Sequence, residues 1–105
     1  MKELEMVKIK IGPNERELED ADESWINREI NRLRKGGKPV CVRVRIRTDS
    51  LNFTLATPGC GGRRGRGPEP QEQEIFDLWK KRGLTQPDFT GGQLVAFLKQ
   101  LRQLL

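Results

Sequence analysis

The chain contains no histidine and no tyrosine. Without histidine there is no Ser-His-Asp or Cys-His arrangement, no ordinary imidazole base, and no zinc site of the mixed Cys/His kind. Cysteine occurs only twice, as Cys41 and Cys60. Two thiolates do not complete a tetrahedral metal site, and their separation is not that of a C-x-x-C redox motif. They could close one disulfide, but in a chain that opens without an export signal the reading favours free thiols. The longest apolar run, Leu94-Val95-Ala96-Phe97-Leu98, is far too short to span a bilayer. Glu3 and Glu5, with no apolar stretch behind them, do not make a secretory signal. The expectation is a soluble, cytoplasmic protein with no membrane partner. Neither enzymatic activity nor a cofactor or metal is expected.

What is present is charge. In 105 residues, charged types make up 33% and apolar types 34%, which is one domain with one modest core. The net charge of +5 conceals a segregation along the chain. Residues 1–23 carry −4, residues 24–67 carry +9, and residues 68–105 balance. A block as basic as the middle one attracts polyanions and repels itself.

Hydrophobic periodicity then places the elements. Met6 to Ile11 alternates with period two and reads as a strand, with Val7, Ile9 and Ile11 inward and Lys8 and Lys10 outward. Gly12-Pro13 closes it. The acidic stretch Glu15–Glu23 leads into a helix capped by Asp20 or Asp22, with Leu18, Trp25, Ile26, Ile30 and Leu33 on one side. Gly36-Gly37 stops that helix, with Pro39 just beyond. Val40 to Arg47 is the clearest strand, placing Val40, Val42, Val44 and Ile46 on one face and Cys41, Arg43, Arg45 and Arg47 on the other. Leu51 to Thr57 alternates again. An even turn around Asp49-Ser50 pairs Ile46 with Phe53 and Val44 with Leu55, so both apolar stripes share one side.

Residues 58–69 are rich in glycine, arginine and proline and read as a flexible internal loop of a single domain spanning 1–105. A helix follows, bearing Ile75, Phe76, Leu78 and Trp79 and ended by Gly83. The last helix opens on a capping box, Thr90-Gly91-Gly92-Gln93, with Phe89 and Leu94 placed to staple it. The order β-α-β-β-α-α implies an α+β domain, a three-stranded sheet with its helices packed on one face.

On the second face of such a sheet stand Lys8, Lys10, Arg43, Arg45 and Arg47, with Asn52 and Thr54 beside them. Crowding like charges on a sheet is mildly destabilising, which makes sense where an anion sits there. Alternate residues recur every ~6.6 Å, close to the spacing of consecutive phosphates, and the guanidinium fork fits phosphate oxygens. Arg63, Arg64 and Arg66 add cations in the manner of RGG-type segments. The leading expectation is therefore binding to an RNA or DNA backbone, by a monomer. The aromatic residues all fall at core-like positions, so bases would not be stacked or read. Against it stand an ordinary solvated basic face, cations neutralised by Glu15–Glu23 folding over them, and an acidic protein partner. A protein-interaction module using the C-terminal apolar helix or the Gly/Arg loop is the alternative of a different class. Burial of Arg43, Arg45 and Arg47, or their pairing with Glu15, Glu17, Glu19 or Asp22, decides against the nucleic-acid reading. The glycine loop lacks the Gly-Lys-Ser/Thr of a phosphate-binding loop, and the link from Gly83 to Phe89 is long for a helix-turn-helix.

Overall fold

A computed structural model of the chain describes residues 6–48, 52–60 and 70–104. The strands are β1 (Met6–Ile11), β2 (Asn14–Glu17), β3 (Val42–Arg47) and β4 (Asn52–Ala56), and the helices α1 (Glu23–Lys35), α2 (Pro70–Lys81) and α3 (Gly91–Leu104). Short 3₁₀ turns occupy Leu18–Asp20 and Pro58–Cys60. The sheet is antiparallel and four-stranded, ordered β2-β1-β3-β4, rather than the three-stranded sheet the periodicity implied. The additional strand is β2, Asn-Glu-Arg-Glu, taken from the acidic stretch expected to lead directly into α1. It turns back on β1 through Gly12-Pro13, and Gly12 adopts the positive φ (60°) that a tight hairpin needs at this position.

No aliphatic residue marks β2, because its two inward positions are polar and are satisfied from α1. Asn14 Nδ2 donates to Oε1 of the buried Glu29 at 2.9 Å, and the Arg16 guanidinium lies 5.0 Å from the centre of the Trp25 ring. An edge strand with charged outward residues also resists pairing with other chains.

The β3–β4 register is the expected one, Ile46 opposite Phe53 and Val44 opposite Leu55. Val7, Ile9, Ile11, Val42, Val44, Ile46 and Leu55 therefore point to one side, where the helices cover them. Trp25, Ile26 and Ile30 come from α1, Ile75 and Trp79 from α2, and Leu94, Phe97, Leu98 and Leu101 from α3. Trp79 and Phe97 meet edge to face with centroids 5.1 Å apart. Leu84 and Phe89, in the connection between α2 and α3, are also buried. Arg34 of α1 donates to the Phe89 carbonyl and covers its ring, tying α1 to the start of α3.

Asp22 caps α1 by accepting from the Trp25 amide at 2.8 Å. The capping box at α3 is formed in both directions, Thr90 N–H to Gln93 Oε1 at 2.7 Å and Gln93 N–H to Thr90 Oγ1 at 3.3 Å. Thr90→Ala removes one of these acceptors, and a loss of about 1 kcal/mol is expected in denaturant unfolding. An unchanged midpoint would show the box to be ornamental.

The cysteines are not free thiols: Cys41 and Cys60 form a disulfide, with Cα atoms 4.4 Å apart. The hairpin brings them together. Extending the β3–β4 register by two pairs sets residue 41 opposite residue 58, and the 3₁₀ turn curls Cys60 back onto Cys41. Disulfides persist in oxidising surroundings, so the pair gives no support to a cytoplasmic location. The first three residues of the loop expected at 58–69 thus form a fixed turn. The rest of that loop, with Arg63, Arg64 and Arg66, and the hairpin tip at 49–51 lie outside the described residues.

Candidate nucleic-acid interface

Because β1 and β3 each send alternate residues into the core, their remaining positions are forced to the opposite side of the sheet. Lys8, Lys10, Arg43, Arg45 and Arg47 are brought together there. Lys8 lies opposite Arg45, Lys10 opposite Arg43, and Arg47 opposite Met6. On the other flank of β3, Arg43 faces Ala56, Arg45 faces Thr54 and Arg47 faces Asn52. Lys10 and the three arginines are exposed, and Lys8 is half-buried between its neighbours.

Among the described residues, none of these five cations forms an ion pair; the pair that is formed joins Arg32 to Glu29 within α1, at 3.5 Å. The arginines are neither buried nor covered by the acidic segment. Asp22 is engaged in capping α1, and Arg16 turns to the helix side, donating to the Asp20 carbonyl at 3.3 Å.

The face is not free of carboxylate, however. Adding β2 to the sheet places Glu17 directly opposite Lys8 and Glu15 directly opposite Lys10. Across the sheet, the outward residues run Glu17, Lys8, Arg45, Thr54 in one row and Glu15, Lys10, Arg43, Ala56 in the next. Charge therefore passes from negative at the β2 edge, through a positive ridge, to neutral at β4. These glutamates offset part of the repulsion between cross-strand Lys and Arg. The sequence named Glu15 and Glu17 as residues that could fold over the cations but did not place them on a strand, although they alternate just after a Gly-Pro turn, the pattern of a hairpin's return strand.

Chemically, the ridge offers three guanidiniums in line, each able to grip a phosphate through two N–H groups. It offers no stacking platform. Trp25, Trp79, Phe89 and Phe97 are buried, and Phe53 and Phe76 are packed against the core. Contact would thus run through backbone charge, strongly salt-dependent and little dependent on sequence.

The apolar stripe of α3 is committed to the core through Leu94, Phe97, Leu98 and Leu101, which leaves Leu104 as the exposed large apolar side chain among the described residues. No three metal-ligating side chains converge among those residues, and no helix there is long and apolar enough to cross a membrane. Comparison with protein-family models, curated proteins and solved structures finds no match to this chain.

Proposed function

We propose that this domain is a non-enzymatic binding module for the backbone of a nucleic acid. Lys8, Lys10, Arg43, Arg45 and Arg47 supply the phosphate contacts, and Arg63, Arg64 and Arg66 of the following Gly/Arg segment act as an auxiliary arm. The observation that carries the reading is the line of Arg43, Arg45 and Arg47 along β3, exposed and without a carboxylate partner among the described residues. Three guanidiniums at ~6.6 Å intervals, with no ion-pair partner among the described residues, form a concentrated positive field.

The test is a fluorescence titration of short oligonucleotides at two salt concentrations, with the wild type and the R43Q/R45Q/R47Q variant. Binding should weaken steeply with salt. Each lost phosphate contact lowers the logarithmic salt slope by roughly 0.7 for a single strand, so the triple variant should lose about 2 from that slope. No binding at low salt, or a variant that binds as well as the wild type, would leave the ridge as ordinary solvated surface.

A further inference from the structure

We infer that the ridge takes one strand of nucleic acid lying along β3, and that Glu15 and Glu17 form a charge fence that denies a duplex a footing for its second row of phosphates. This rests on the nucleic-acid reading of the basic face and adds the form of nucleic acid it accepts.

Distances across the sheet carry the argument. Neighbouring strands are ~4.8 Å apart, so β1 lies one spacing from β3 and β2 lies two spacings away, at roughly 9.6 Å. The cations that carry no carboxylate opposite them are those of β3. Those of β1 each face a glutamate of β2, Glu17 for Lys8 and Glu15 for Lys10. The positive ridge is therefore strongest along β3, on the arginines, with Lys8 and Lys10 on its flank partly offset by the glutamates. The negative band beyond it continues around the β2 edge, where Glu15, Glu17, Glu19, Asp20 and Asp22, together with Arg16, line a shallow cleft.

A single polynucleotide strand presents one row of phosphates, which fits one row of arginines. Its sugars and bases then fall over β4. There the outward side chains, Asn52, Thr54 and Ala56, are small, uncharged and exposed, so they give room and two hydrogen-bonding groups.

A duplex presents two rows. Across the minor groove, ~6 Å wide before the thickness of the phosphates is added, the second row stands about two strand spacings from the first. With one row on β3, the other meets Glu15 and Glu17. In the opposite orientation it passes beyond β4, the sheet edge, and gains no cation, so the fence closes the one placement in which both rows would lie over the sheet.

The probe is a thymidine oligonucleotide, alone and paired with its adenosine complement, titrated by fluorescence anisotropy at low salt. The proteins are the wild type, E15Q/E17Q, and a control of identical net charge, E23Q/E74Q, whose two exposed carboxylates lie on helices α1 and α2. The wild type should prefer the single strand. Removing the fence should tighten duplex binding about tenfold and single-strand binding about twofold, whereas the control should tighten both by the same small factor. A wild type that binds both forms equally, or a fence variant indistinguishable from the control, overturns the fence. If the single strand binds and R43Q/R45Q/R47Q abolishes that binding, the basic face survives such a result and only the fence is lost. No binding of either form by the wild type overturns both.

Discussion

Replacing Cys41 and Cys60 together by alanine, or reducing the wild type with a dithiol, should lower the free energy of unfolding by about 3 kcal/mol. The bond spans 19 residues of sequence, and cross-linking a loop of that size removes conformational freedom chiefly from the unfolded chain. For a domain of this size the loss corresponds to a fall in Tm of roughly 12–24 °C. Denaturant titrations with and without reductant check it. The wild type should shift and the C41A/C60A variant should not respond to reductant at all. A wild type insensitive to reductant would mean that the two sulfurs are unpaired, and would restore the thiol reading that the sequence suggested.

Gly59→Ala should cost a similar amount, about 3 kcal/mol, by a different route. A Cβ at this position would stand 2.2 Å from the Val40 carbonyl oxygen and 2.7 Å from its carbon. Both are backbone atoms, so the contact is not relieved by a side-chain rotation, and overpacking of this kind typically costs 1–3 kcal/mol or more. The same carbonyl accepts from Thr57 Oγ1 at 3.0 Å, while that oxygen accepts from the Val42 amide at 3.0 Å. Moving Val40 aside therefore breaks the latch that holds the end of β4 to the start of β3. Gly92→Ala serves as the contrast. Its Cβ would meet only Thr90 Oγ1, at 3.8 Å, inside the first turn of α3, and it should stabilise by about 0.5–1 kcal/mol. Equal effects from the two substitutions would show that close approach is not what glycine provides at position 59.

Both predictions concern the open end of the β3–β4 hairpin, which is also the base of the arginine line. Disulfide, hydroxyl latch and close backbone approach all act within a few residues of Arg43. They hold the strand that carries the candidate phosphate contacts from its base upward, leaving its exposed side chains free to meet a partner.

How much of this was legible in the sequence depended on whether a residue's environment was local. The alternation in Met6–Ile11 and Val42–Arg47 fixed which side chains face the core, because the pleat allows no other outcome. The β3–β4 register followed from bringing two apolar stripes to one face, and the α3 cap from a four-residue motif whose partners are all within it. The line of Arg43, Arg45 and Arg47 was legible for the same reason.

The rest depended on contacts between distant parts of the chain. Strand β2 has no hydrophobic signature, since its inward positions are satisfied by Glu29 and Trp25, residues that reach it only after α1 has docked. The disulfide lies 19 residues apart in sequence and becomes adjacent only when the hairpin closes and a 3₁₀ turn redirects Cys60. The expected register already placed Pro58 opposite Cys41, so the pairing was one turn away from being readable. The sequence by itself determined the apolar face, the basic strand and the helix ends, because each is set by periodicity or by neighbours within a few residues. Only the tertiary structure decided that a fourth strand brings two glutamates beside the lysines, because strand pairing at an edge is settled by what the opposite helix can satisfy.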